Sequence, residues 1–463
     1  MLPPPAFPDQ ATRRVVRDAL HAAAARGERT VLGRLFSEQE TLGLDVVSAA
    51  LGATLGALRA CGLLSVDGDS VEACVALQPH AGLLFASDRR SVHQQGARDF
   101  VLGVGGSTRR VAALMPVRAG AEVLDLGCGC GVLGILAARS ARHVTALDLN
   151  PRALAYTRFN AELNDCTNLE VATGDLYAPV AGRRFDLIVC NAPYAVSPES
   201  TYLYRDGGAD FCERLARATP AYLADGGLAL LALNWPSRAD ERWQATLAGW
   251  FAAAGCDLWL LCSEHLAPDD YARIWLSQQF GESIPAAALE RWLASYRAAG
   301  VVELHGGYAV LSRPVGRAPW IEVRDMPALG ARADLGLVRV LAARDLAARH
   351  PDATLPDLPL RPCIGLDTIE RRVPGAMGWT VQAVDLRAHD GLRMGLRLDP
   401  LAADLLGWCD GTRSVAAAAR AFATARALPT EAILAALPAL LRKLLEAGLV
   451  AVPDAPEATV AVS

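Results

Sequence analysis

An α/β fold built on a mostly parallel sheet is predicted by three stretches of the sequence. Glu122–Gly134 reads E-V-L-D-L-G-C-G-C-G-V-L-G, His143–Asn150 reads H-V-T-A-L-D-L-N, and Phe185–Tyr194 reads F-D-L-I-V-C-N-A-P-Y. Each places a short apolar run, of the kind buried on both faces of a parallel sheet, just before glycines, an acid or an asparagine. Helical stretches separate them, and that alternation marks a wound sheet with its ligand at the strand tips.

The first strand, Val123–Leu126, runs directly into Gly127, Gly129 and Gly131. Glycines there permit positive φ and let a ligand lie against the backbone at a helix N-terminus. The helix predicted over Val132–Arg139 leads to a second strand ending at Asp148. An acid about 20 residues beyond such a turn can accept the hydroxyls of a ribose. A third strand, Leu169–Thr173, closes on Gly174-Asp175, whose carboxylate suits the edge of an adenine. An adenosine-containing ligand follows. Gly129–Gly134 also fits the dinucleotide pattern G-x-G-x-x-G, so a nicotinamide-dependent enzyme is one rival. The fourth strand, Phe185–Cys190, argues against it, because a dehydrogenase has no use for Asn191-Ala192-Pro193-Tyr194 at its tip.

Together, L-D-L-G-C-G-C-G, Asp148, Gly174-Asp175 and N-A-P-Y resemble the class I S-adenosylmethionine (SAM) methyltransferases. Within that class they resemble the branch with an Asn-Pro-Pro-Tyr motif, which holds release-factor glutamine, ribosomal guanine-N2 and adenine-N6 DNA methyltransferases. Y-R-D-G-G at Tyr204–Gly208 is similar to the glutamine-modifying members, and the whole resemblance covers about Phe100 to Trp235. It implies a Rossmann-like, seven-stranded sheet ending in an antiparallel strand, here Gly307–Arg313. It implies SAM as cofactor, S-adenosylhomocysteine as product, and cofactor contacts at Asp125, Gly127, Cys128, Gly129, Gly131, Asp148, Leu149, Asp175, Leu176 and Asn191. The catalytic set it implies is Asn191, Ala192, Pro193 and Tyr194. The Asn191 oxygen and the Ala192 carbonyl would each accept an N–H of the substrate nitrogen, Pro193 would stiffen the turn, and Tyr194 would cover the substrate's planar face. Ala192 stands where the family has its first proline, so the carbonyl survives while an N–H appears and φ is freed. It still precedes a proline and is still biased extended.

Blander roles compete. An Asn beside a proline is commonly a turn former. Asp125 either holds the glycine loop through backbone N–H groups or reaches the SAM amino group through water. Asp148 and Asp175 are also placed to cap helices.

Composition narrows the class further. Of 463 residues, 52% are hydrophobic and 21% charged, which suits a soluble, multidomain protein. The net charge of −5 counts against a broad nucleic-acid footprint. Lys443 is the only lysine, so the arginine richness reads as codon bias. Eleven cysteines without C-x-x-C pairs read as reduced thiols in a cytoplasmic protein, and eight histidines without H-x-x-x-H spacing predict no metal. The N-terminus lacks signal-peptide character, and no apolar run is long enough to span a membrane.

Three domains are expected. Residues 1–95 read as a helical, winged-helix-like unit: a helix over Gln10–Arg26, helical spacing over Leu44–Cys61, then two short strands about an Asp-Gly turn. Only Arg59 is basic on Leu51–Cys61, so a substrate-binding or dimerisation role is favoured over DNA. Gly103, Gly105 and Gly106 with Ser107 and Thr108 either cap the next helix or contact the cofactor. The SAM domain spans 96–318, with a two-helix insertion at 268–300 whose Trp275, Trp292 and Tyr296 either shape the substrate pocket or pack a core. Residues 319–463 end in three helices and a strand, again winged-helix-like.

The reading is a SAM-dependent methyltransferase acting on an amide or amine of a small molecule or peptide. A partner or carrier protein would bind through the terminal domains, and nucleic acid is disfavoured. The alternatives are an RNA or protein N-methyltransferase, and a fold that uses SAM without methyl transfer or serves as a scaffold.

Overall fold

The computed structural model describes residues 2–26, 30–191, 193–208, 210–251, 255–375 and 378–453. The chain divides into two compact units. One is Met1–Ala112, Val117–Val315 and Ile321–Asp325; the other is Ala113–Pro116, Gly316–Trp320 and Met326–Ser463.

The first unit is organised on eight strands: β1 (Glu122–Leu126), β2 (His143–Asp148), β3 (Leu169–Thr173), β4 (Phe185–Cys190), β5 (Leu223–Arg238), β6 (Asp257–Leu266), β7 (Val301–Ser312) and β8 (Ile321–Asp325). Their spatial order is β8-β6-β7-β5-β4-β1-β2-β3. Strands β1 to β5 pair in parallel, while β7 runs antiparallel between β5 and β6. This is the Rossmann-like sheet of a class I methyltransferase fold. The order reverses at the β4–β1 junction, where the glycine turn after β1 and Asn191 after β4 come out side by side. Strand β8 is an addition to the seven expected strands and lies parallel to β6. Its I-E-V-R-D is short, and Ile321 at its start is half exposed, so the run carries no buried-strand signature.

The N-terminal region has the helices Gln10–Arg26, Leu44–Leu51 and Thr54–Ala60 and a three-stranded antiparallel sheet in the order Leu42–Gly43, Ser70–Ala73, Leu64–Asp67. The helical run from Leu44 breaks at Gly52, whose φ of +51° lies in the left-handed region. A further hairpin, Ala76–His80 with Leu83–Ser87, gave no sequence signal. It docks on the helix Pro151–Leu163 through two asparagines. Asn160 exchanges hydrogen bonds with the Ala86 backbone at 2.8 and 2.9 Å, and Asn164 does so with Leu84 at 3.0 and 2.7 Å. Buried Asp88 pairs with Arg152 and accepts from Tyr156 and from the Val101 amide, each at 2.8 Å. One hydrophobic core therefore runs from Val16 and Leu58 through Phe85 to Ile135 and Phe159.

The insertion forms the helices Pro268–Phe280 and Ala286–Ala298. Trp292 and Tyr296 lie in its own core with Tyr271 and Leu276, so packing, not the pocket, is their role.

In the second unit, the helix Ala333–Arg349 packs against Thr430–Glu446, which runs through Pro438 without interruption. Arg442 ties the two together by donating to the carbonyls of Ala347 and His350 at the helix C-terminus. The helices Pro400–Leu406 and Val415–Arg426 complete the trio, and Val450–Ala451 pairs with Arg361–Pro362. A long hairpin, Leu366–Gly375 with Gly378–Ala388, is exposed over most of its length. No helix among the described residues is long and apolar enough to cross a membrane.

Candidate functional site

The site begins with three left-handed glycines. Gly127, Gly129 and Gly131 take φ of +71°, +56° and +86°, which other residues rarely adopt. Amides of Gly127 and Cys128 donate to the Leu147 carbonyl, curling the loop over the tip of β2. Asp148 at that tip accepts from the Gly129 amide and the Asn150 amide, both at 2.8 Å. Burial raises its pKa against the pull of those amides. The helix cap expected of Asp148 is supplied by Asn150, whose side chain accepts from the Arg152 amide.

Asp125 is 1% exposed and accepts from the Gly134 amide at 2.7 Å. Of its two sequence readings, holding the loop is the one with a direct contact. Burial, aided by the Asp148 charge, pushes its carboxyl up to about 7. Cys128 and Cys130 are buried, with the Cys128 thiol 3.4 Å from the Thr157 hydroxyl.

These residues line a cavity of about 470 Å³, within the ~300–1,000 Å³ of ordinary small-molecule sites. Asp125, Gly127, Cys128, Gly129, Asp148, Leu149, Asp175, Leu176, Asn191 and Pro193 all border it, whereas Gly131 stands behind it as the left-handed residue opening the next helix. Leu149 is 53% exposed and forms an apolar wall beside Asp148. Asp175 is paired with Arg214 at 3.5 Å on the far side.

A second cavity of about 750 Å³ adjoins the first, and Asn191, Phe100, Gly103 and Tyr204 border both. Its walls include Tyr194, Tyr271, Trp275 and Tyr308, with Tyr194 and Trp275 edge to face at 5.9 Å. Trp275 thus takes the pocket role that the sequence left open. Burial pushes the Tyr194 phenol up to about 12. His93, also on this wall, meets the Tyr204 hydroxyl at 3.0 Å, and burial drops its pKa to about 4, so the imidazole is neutral at pH 7. Arg110 borders the cavity but is paired with Glu264 at 3.2 Å.

Asn191 joins the two cavities. Its Nδ2 donates to Ser107 Oγ at 3.2 Å and to Thr108 Oγ1 at 3.1 Å. Its Oδ1 is buried and has no hydrogen-bond partner among the described residues. An orphaned acceptor of this kind costs about 1–3 kcal/mol and fits a site awaiting a donor. Ser107 and Thr108 sit in the first turn of Gly106–Leu114, so their hydroxyls orient the asparagine from outside the strand motif. The sequence singled them out for capping and cofactor contact; nothing in their spacing pointed to Asn191. Ala192 lies outside the described residues. Pro193 is backed by Gly207, where a Cβ would come within 2.3 Å of the Pro193 carbonyl oxygen. That explains the glycine in Y-R-D-G-G. The Arg205 of the same run is fully buried, paired with Asp206 at 2.7 Å and Glu199 at 3.2 Å, and it anchors the loop beneath the site.

The histidines do form a ligand-like group, contrary to their sequence spacing. Cys262, His265 and His305 each place one ligand atom within 4.8 Å of the others. His305 comes from a neighbouring strand, which spacing along one segment does not reveal.

The order and direction of the strands are those of a class I methyltransferase fold. Residues 104–247 match the family Methyltransferase small domain. The chain is 37% identical over 131 residues to the release factor glutamine methyltransferase of Cereibacter sphaeroides, covering 25% of this chain and 47% of that protein. It is 31% identical over 227 residues to the ribosomal RNA small subunit methyltransferase C of Chromohalobacter salexigens, covering 45% and 66%. The chain thus spans about half the length of the first of these curated relatives and just under two thirds of the second. Among solved structures, M. jannaschii TYW2 in complex with AdoMet aligns with 17% identity over 52% of this chain and 90% of that one, at a TM-score of 0.30. That value is too low to bear on function.

Proposed function

We propose that this protein is a SAM-dependent methyltransferase that transfers a methyl group to a planar, N–H-bearing nitrogen, foremost a carboxamide of a protein or peptide. The orphaned Asn191 Oδ1 at the junction of two cavities carries the reading. SAM would be held in the smaller cavity, where Asp148 would offer its remaining lone pairs to ribose hydroxyls, Leu149 would face the adenine, and Asp175 would serve the adenine edge. When bound, it supplies an electrophilic methyl group on a sulfonium.

The chain's own task is positioning, since methyl transfer between fixed partners is mainly a matter of alignment. Ser107 and Thr108 fix the Asn191 amide so that Oδ1 accepts an N–H of the acceptor. That bond holds the nitrogen at the opening between the cavities. Tyr194 and Trp275 cover the planar face of the group and exclude water from it.

The small-molecule acceptor expected from the sequence gives way here. The relatives named above are methyltransferases of a release factor glutamine and of ribosomal RNA by name, and both are macromolecular substrates. The ion-paired Arg110 and the net charge of −5 favour a protein amide. The ribosomal RNA enzyme shares the longer stretch with this chain, which supports a base amine in RNA as the second reading.

Calorimetric titration with SAM and S-adenosylhomocysteine tests the cofactor. Transfer of a labelled methyl group to release factor or to small-subunit ribosomal RNA then separates the two acceptors. A folded sample that binds neither nucleoside ends the proposal; binding without transfer to any acceptor returns the scaffold reading.

A further inference from the structure

On the edge of the sheet, strands β5 to β8 bring together a second set of chemical groups. Cys262 and His265 lie three apart on β6, a spacing that in a regular strand puts side chains on opposite faces. A bulge intervenes: Cys262 pairs with Gly307 and Glu264 with Gly306, leaving Ser263 as the extra residue. The bulge turns Cys262 and His265 to the same face, where His265 lies directly opposite His305 on β7. On the other side, Asp325 of β8 pairs in register with Cys262.

The contacts are close. Cys262 Sγ is 3.4 Å from His265 Nε2, His265 Nε2 is 3.2 Å from Asp325 Oδ1, and the two Nδ1 atoms of His265 and His305 are 3.2 Å apart. Taking one ligand atom from each, Cys262, His265 and His305 lie within 4.8 Å of one another, and a tetrahedral zinc ion with Zn–S near 2.3 Å and Zn–N near 2.0–2.1 Å would draw them in to about 3.3–3.6 Å. His305 Nε2 meets Ser237 Oγ at 3.0 Å and Glu303 at 3.5 Å. With its Nε2–H donated to those oxygens, its Nδ1 carries a lone pair aimed at His265. An outer carboxylate and hydroxyl behind a ligating histidine is also the usual support of a metal site.

We propose that Cys262, His265 and His305 bind one zinc-class divalent cation, with its fourth position open to solvent. A thiolate and two imidazoles are a borderline-soft donor set, which selects zinc over magnesium or calcium. Trp235 and Trp243 roof the site, their rings 5.6 and 4.8 Å from that of His305. The ion would clamp β6 to β7. On β6 and β7 the neighbouring residues Ser263, Glu264 and Gly306 line the 750 Å³ cavity, so the clamp would fix one of its walls. His265 is 41% exposed by side chain and free to turn as the ligands draw in.

The test uses the full chain, stripped with a chelator and titrated with Co²⁺ and then Zn²⁺. One equivalent of Co²⁺ should bind, with a thiolate charge-transfer band and the strong visible absorption of a tetrahedral ion, and Zn²⁺ should displace it. Cys262→Ala should lose the charge-transfer band. His265→Ala, at an exposed position that the fold tolerates, should weaken binding at least about tenfold. A folded wild-type chain that takes up no stoichiometric metal overturns the proposal. So does uptake that both variants leave unchanged, since another of the eleven cysteines would then hold the ion.

Discussion

Thr108 orients Asn191 from 83 positions away: its hydroxyl oxygen lies 3.1 Å from the asparagine Nδ2, and Ser107 adds a second contact at 3.2 Å. The amide is thereby held by one end while the other end, Oδ1, stays unpaired at the mouth of both cavities.

Thr108→Val should therefore lower kcat for methyl transfer while leaving SAM affinity within a few-fold. Losing one orienting hydrogen bond of about 1 kcal/mol corresponds to roughly five- to tenfold. Ser107→Ala combined with it should approach the ~10²-fold loss that a misplaced reacting group incurs. Asn191→Ala should abolish transfer with SAM binding retained. Steady-state kinetics beside calorimetry read both quantities, and full turnover by Asn191→Ala would falsify its assignment.

Asp148→Ala should abolish measurable SAM binding. Its carboxylate holds the Gly129 and Asn150 amides besides the ribose contact proposed for it, so the glycine loop loses its anchor. Each amide left unpaired costs about 1–3 kcal/mol, and the apo protein should melt earlier as well. Titration of SAM and a thermal melt in the same buffer check the two effects; tight binding by the variant refutes the ribose assignment.

Asp125 predicts a pH dependence. Its carboxyl titrates near 7 in the folded chain, against 3.8 as the ordinary value. The folded state therefore binds the extra proton between those limits, and this group's contribution to stability is lost as pH rises from about 4 to about 7. Asp125→Asn keeps an oxygen for the Gly134 amide and removes the titration. Across that window, the difference in urea midpoint between variant and wild type should move in the variant's favour as pH rises. A pH-independent difference counts against the buried acid.

Gly207→Ala should disable transfer through Pro193. The added methyl meets the Pro193 carbonyl oxygen at 2.3 Å and the Phe211 ring at 2.7 Å, neither of which is the loose end of a flexible chain. Displacing the motif by a fraction of an ångström should cost kcat tenfold or more, at unchanged secondary structure by circular dichroism. Wild-type kcat in a folded variant would show that the loop absorbs the methyl.

Much of the fold was legible because its signals are local. Apolar runs of strand length, glycines at positive φ and acids at strand tips are consequences of backbone geometry near each residue, and they located β1 to β4, the glycine turn, Asp148 and Asn191. The helices Gln10–Arg26 and those of the insertion followed from periodicity in the same way. What escaped depends on partners distant in sequence. The hairpin Ala76–Ser87 is held by Asn160 and Asn164, and β8 borrows its order from β6. The pocket role of Trp275 and the core role of Trp292 could not be told apart by composition, since both are aromatic residues on amphipathic helices.

The sequence by itself determined strands β1 to β4, the glycine turn and the place of Asn191 at a strand tip, because each is encoded within a few residues. Only the tertiary structure decided which groups meet: Ser107 and Thr108 on Asn191, Gly207 under Pro193, and His305 beside Cys262 and His265. Hydrogen bonds and ligand geometries act over about 3 Å whatever the separation along the chain, so they are settled by packing and by strand register, including a single bulged residue at 263.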